Sequence, residues 1–118
     1  MQHEKFNPRE DKRIRIDLDI LIKSLKDSNS VLTKCKVLDM SRTGLLIETT
    51  IKFKINEEVE LDFLLVNQPL NIKAKVKRVN QKNENTYLIG INLEKLDKYS
   101  EKIISDFFES INYYGWFY

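Results

Sequence analysis

The sequence predicts an antiparallel all-β fold, a barrel or a sandwich of six strands, followed by one C-terminal helix. Three observations predict it. Apolar residues recur at every second position in six separate runs. Short polar turns separate those runs. Only the end of the chain changes to helical spacing.

The alternation begins after a polar stretch, residues 1–13. Ile16, Leu18, Ile20 and Ile22 fall two apart, the period of a half-buried strand. Asp27-Ser28-Asn29-Ser30 is a turn cluster. Val31, Thr33, Cys35 and Val37 alternate next, with Lys34 and Lys36 between them. The turn Ser41-Arg42-Thr43-Gly44 leads to Leu45, Ile47 and Thr49. Val59, Leu61, Phe63 and Leu65 form a fourth run, which Pro69 is expected to end. Leu70, Ile72, Ala74 and Val76 form the fifth, Asn80 to Asn85 reads as a polar turn, and Tyr87, Ile89, Ile91 and Leu93 form the sixth.

From Asp97, a suitable N-cap, Ile103, Ile104, Phe107, Phe108 and Ile111 mark one face of an amphipathic helix. Such a helix, Asp97 to Asn112, can cover the apolar opening of a barrel, and Gly115 suits its end. The expected organisation is a flexible segment over 1–13, a body over 14–112 and an aromatic tail over 113–118.

Composition narrows the function. The chain has 118 residues, one domain's worth, and a formal net charge of +2 from 20 basic and 18 acidic side chains. A near-balanced charge argues against a nucleic acid polymer as partner. Cys35 is the single cysteine, so no internal disulfide forms, and a buried structural thiol is expected there. The N-terminus lacks the apolar region of a signal peptide, and no apolar run has the length of a membrane span. A cytoplasmic location is therefore expected. His3 is the sole histidine, no His, Cys and carboxylate cluster has metal-ligand spacing, and no glycine-rich phosphate loop is present. These features point to a binding domain rather than an enzyme, with no metal or cofactor.

Two segments carry a binding signal. In Asn7-Pro8-Arg9-Glu10-Asp11-Lys12-Arg13, a single helical turn capped by Asn7 puts Arg9 and Arg13 on one face. Two guanidinium forks side by side suit a phosphate or the O6/N7 edge of guanine. In Asp39-Met40-Ser41-Arg42-Thr43-Gly44, Asp39 can accept from a guanine N1–H and N2–H₂ edge and Ser41 can donate to a phosphate or a base. Gly44 is free to take a positive φ and leaves room for a ligand against the backbone. Each segment alone has a plainer reading, a solvated charged tail and a well-made hairpin turn.

Taken in order, R-x-x-x-R before the first strand and D-x-S-x-x-G after the second resemble the PilZ domain family. Tyr87-Leu88-Ile89-Gly90-Ile91-Asn92-Leu93 looks like the family's last long strand, and the helix from Asp97 matches its C-terminal helix. The resemblance covers roughly residues 6 to 112. It implies a bacterial six-stranded antiparallel barrel with a C-terminal α-helix, binding the second messenger cyclic di-GMP. By motif position, Arg9 and Arg13 would grip phosphate and guanine, and Asp39, Ser41 and Gly44 would read the other side of the ligand. Lys12, Arg42 and Arg78 are further candidate contacts, Arg78 by stacking on a base. Many members carry another arginine directly before the first of the pair. Pro8 stands there in this chain, which argues against an intercalated ligand dimer.

Binding is expected to order the N-terminal segment and so present a changed surface to an effector protein. Tyr113, Tyr114, Trp116, Phe117 and Tyr118 either pack on the body or dock that partner. Two other functions fit a small β fold. A single-strand nucleic acid binder wants aromatics along its strands, whereas these strands are mainly aliphatic. A protein-interaction adaptor with an idle ligand site would not need the complete motif pair.

Overall fold

A computed structural model describes residues 12–26 and 30–114, the side chains of 112–114 excepted. Six strands form one closed antiparallel barrel in the order β1-β2-β3-β6-β5-β4. They are β1 (Ile14–Ser24), β2 (Thr33–Met40), β3 (Gly44–Thr49), β4 (Glu58–Leu65), β5 (Gln68–Asn83) and β6 (Thr86–Leu93). A single helix, α1 (Lys98–Tyr114), follows. Of the two architectures left open by the alternation, the chain adopts the barrel.

The period-two pattern explains the core. Ile20, Ile22, Val37, Ile47, Leu61 and Val76 point inward and are almost wholly excluded from water. The ring closes where β1 meets β4, with Leu21–Ser24 against Val59–Asp62. The rest of β1, from Ile14, pairs with β2 alone.

Helix α1 starts where expected. The Asp97 carboxylate accepts the Ser100 backbone N–H at 2.7 Å, which satisfies one of the orphan donors of the first turn. Ile104 and Phe108 are buried with the barrel core, and Phe107 meets Phe108 edge to face at 5.3 Å. The helix continues through Tyr113 and Tyr114, past its expected end at Asn112, while the proposed stop at Gly115 and the rest of the tail lie outside the described residues, as does most of the Asp27–Ser30 turn.

Three boundaries differ from the sequence reading. Strand β2 begins at Thr33, and Val31 is exposed. The β4–β5 hairpin turns at Val66 and Asn67, both at positive φ (51° and 63°), so Pro69 lies inside β5 opposite Leu64. Strand β5 continues to Asn83, because its backbone keeps pairing with β6 (Asn80 with Leu88, Gln81 with Tyr87). Those ladder bonds are indifferent to polar side chains that face water on both sides.

Candidate functional site

Two β-bulges shape one patch of the outer wall. In β2 the alternation predicts Asp39 inward, on the side of Cys35 and Val37. The extra residue, Leu38, breaks the register between Val37 and Asp39. Asp39 therefore turns out and Met40 turns in, fully buried. In β5 the register breaks between Val76 and Arg78. Val76 faces the core, the extra residue Lys77 faces out, and Arg78, opposite Gly90, faces out too.

The β2–β3 turn is held from several directions. The Ser41 backbone N–H donates to the Gly44 carbonyl at 2.9 Å, and the Leu93 N–H donates to the Thr43 carbonyl at 2.8 Å. The Ser41 hydroxyl accepts the Thr43 N–H at 3.2 Å. Gly44 does not take the positive φ expected of it. Its glycine is required by proximity instead: a Cβ would stand 2.6 Å from the Ile91 carbonyl oxygen, where no carbon fits.

Arg13 joins the two motif segments. Its Nε donates to Asp39 Oδ1 at 2.7 Å, and its Nη1 donates to Ser41 Oγ at 3.3 Å. Ser41 is buried, while the Arg13 side chain remains 41% exposed. The arginine thus keeps donors for a ligand while its aim is set by fixed neighbours.

Beside it lies an open cleft of about 360 Å³, lined by Arg13, Ser41, Thr43, Gly44, Lys77, Arg78, Gly90 and Asn92 among others. That is within the usual range for small-ligand sites, about 300–1,000 Å³. Arg78 lies over Gly90, with its Nε 3.3 Å from where a Cβ would be. The walls bring three cations and two glycines to one place, suited to a flat, doubly anionic molecule.

Arg13, Ser41, Gly44 and Arg78 line this cleft, and Asp39 joins it through Arg13. Lys12 is exposed immediately before Arg13. Arg42 faces elsewhere. Its Nη1 donates to Ser105 Oγ at 3.1 Å, its Nη2 pairs with Glu109 at 3.2 Å, and its guanidinium stands 5.9 Å from the Phe108 ring centroid. Arg9 lies outside the described residues.

Sequence reasoning missed Thr43, Lys77, Gly90 and Asn92 as lining residues. Gly90 and Asn92 are two apart on β6 and face Leu46 and Gly44 of β3, a signal visible once the pairing of those strands is known. Lys77 left no signal, because a bulge has no compositional mark.

Among the described residues, no cluster of His, Cys, Asp and Glu could hold a metal ion. No described helix is long and apolar enough to cross a membrane.

Comparison with known proteins agrees with this architecture. Among solved structures, the fold is similar to the Bacillus subtilis inhibitor of motility MotI/DgrA, with 13% identity and a TM-score of 0.69 over 86% of this chain and 49% of that one. It is similar to the PilZ domain of CeSA from a cellulose-synthesizing bacterium, with 13% identity and a TM-score of 0.63 over 86% of this chain and 98% of that one. A third likeness is the PilZ domain of Escherichia coli YcgR, solved with c-di-GMP, with 9% identity and a TM-score of 0.68 over 88% and 91%. The chain spans about half the length of the first and nearly all of the other two. No curated protein sequence matches it. The PilZ domain family model matches residues 7–110. With a match over most of its length, a closed six-stranded barrel and its C-terminal helix, this chain belongs to the PilZ domain family.

Proposed function

We propose that this chain is a receptor domain for cyclic di-GMP that signals to a partner protein. The observation that carries the reading is the Arg13 side chain, bonded to Asp39 and Ser41 at the edge of a cationic cleft. Cyclic di-GMP has two phosphate charges and two guanine edges, so it needs planar donors together with a carboxylate. Arg13 and Asp39 supply both kinds of group. The family match and the c-di-GMP in the solved YcgR domain support the same ligand.

Arg9, four residues before Arg13, completes the grip on this reading. Ligand binding draws residues 1–13 onto the barrel and alters the surface beside α1. An effector protein in the cytoplasm reads that surface, with the aromatic residues 113–118 as a candidate docking element.

Calorimetric titration with cyclic di-GMP tests the receptor reading, with GMP and linear pGpG as controls. Saturable, selective binding supports it, and the molar ratio decides between one ligand and an intercalated pair. Absence of heat at high micromolar ligand overturns it. Ligand-dependent protection of residues 1–13 from hydrogen exchange tests the ordering step. Removal of residues 113–118 tests docking: partner binding should fall at unchanged stability.

A further inference from the structure

We propose that Lys77, the extra residue of the β5 bulge, is a phosphate-binding residue of the cleft. Together with Arg78 it holds the ligand's second phosphodiester, while Arg13 serves the first. This rests on the cyclic di-GMP reading and assigns the half of the site that neither the R-x-x-x-R nor the D-x-S-x-x-G motif covers.

Three observations carry it. The first is register. In a regular strand Lys77 and Arg78 would face opposite sides, but the bulge sends both outward. The bulge thus sets two adjacent cations side by side on the outer face of one strand, where a single anion can meet both.

The second is placement. Both side chains line the same cleft as Arg13, and Gly44 and Gly90 lie on the strands between them. A flat dinucleotide resting over Gly44, beside the Arg78 side chain that lies on Gly90, would have a cation at each end.

The third is charge balance. Several outward lysines of the barrel have acidic partners, although Lys73 and Lys75 of β5 make no ion pair with a described residue. Lys36 pairs with Asp17 at 2.9 Å, Lys34 with Asp19 at 3.5 Å and Lys82 with Glu48 at 3.2 Å. Neither Lys77 nor Arg78 makes an ion pair or side-chain hydrogen bond with a described residue. The only carboxylate bonded at this cleft, Asp39, is engaged by Arg13. The β5 side of the cleft therefore carries uncompensated positive charge.

The test compares four proteins by calorimetric titration with cyclic di-GMP: wild type, Lys77→Gln, Lys77→Arg and Lys73→Gln. Lys73 is exposed on the same strand and outside the cleft, so its loss removes one charge without touching the site. Lys77→Gln should weaken binding about tenfold, the usual scale for losing one charge-assisted contact. Lys77→Arg and Lys73→Gln should stay close to wild type. The deficit of Lys77→Gln should shrink as sodium chloride is raised, because salt screens an exposed charge contact. If wild type binds while Lys77→Gln and Lys73→Gln behave alike, this inference alone is overturned. If wild type binds no cyclic di-GMP, the receptor reading falls and this inference falls with it.

Discussion

Arg13 and Asp39 lie 26 residues apart in the chain and hold each other at 2.7 Å. On the receptor reading, each is a residue that the ligand needs. The guanidinium satisfies the carboxylate, so neither charge is left unpartnered. On the receptor reading, any part of that contact given up for guanine or phosphate is subtracted from the affinity.

Arg13→Ala should weaken cyclic di-GMP binding by about 1.5–3 kcal/mol, the range for hydrogen bonds to a charged group. Asp39→Ala should weaken it as well. Stability should change little in either, because a partly exposed ion pair contributes about 0–1 kcal/mol. Calorimetry and urea unfolding on the same samples check both halves, and wild-type affinity in Arg13→Ala would show that the site is misassigned.

Gly44→Ala should lower the urea midpoint. Its methyl would meet a backbone carbonyl at 2.6 Å, and forcing a methyl into packed structure costs about 1–3 kcal/mol. Gly90→Ala should cost less, since its methyl meets the movable Arg78 side chain. Its effect should fall on ligand affinity instead. Equal stability losses at the two glycines would contradict this account.

Arg42→Ala should loosen α1. It removes bonds to Ser105 and Glu109 and the stack over Phe108, together about 1–2 kcal/mol. Faster amide exchange in α1 reports the loss. Ligand affinity should fall far less than in Arg13→Ala; an equal fall would return Arg42 to the binding site.

The Asp97 cap should act through pH. Its bond to Ser100 holds the carboxyl below its ordinary value of 3.8. A depressed value means that the charged form stabilises the folded state. That contribution is fully present above the ordinary value and is lost as pH falls through the lowered one. Asp97→Ala should therefore be less stable than wild type near neutral pH, and the gap should close in acid. Unfolding curves measured at pH 7 and near pH 2 read it directly.

Cys35 should resist thiol reagents in the native protein. It is 4% exposed, and burial pushes its thiol above the usual range, so little thiolate is available. Reaction should proceed only as fast as the barrel opens, and should become immediate in denaturant.

The strands were legible because burial imposes period two on them. Ile20, Ile22, Leu61 and Ile72 sit inward as their spacing requires. The cap at Asp97 and the buried face of Ile104 and Phe108 were legible for the same reason at helical period. The bulges were not. One inserted residue reverses the facing of everything after it, and Leu38 and Lys77 look like ordinary strand residues. That is why Asp39 could be named from its motif but not aimed, and why Lys77 was overlooked. Gly44 was singled out for conformation and for ligand approach, whereas the crowding against Ile91 that requires a glycine there depends on a strand pairing nearly fifty residues away. The partners of Arg42 on α1 depend on how the helix docks, which no local pattern encodes.

The short joint between β1 and β4 has a mechanical meaning. Beyond Leu21 the leading half of β1 is anchored along one edge only, like a plank nailed on one side. Arg13 stands just before its free tip. A pull on that arginine therefore acts on the half of β1 that β2 alone holds, where a tilt separates no β1–β4 pair. On the receptor reading, the grip on the ligand and this singly anchored half of β1 share one strand, which makes the strand itself the proposed lever through which occupancy reaches the rest of the wall.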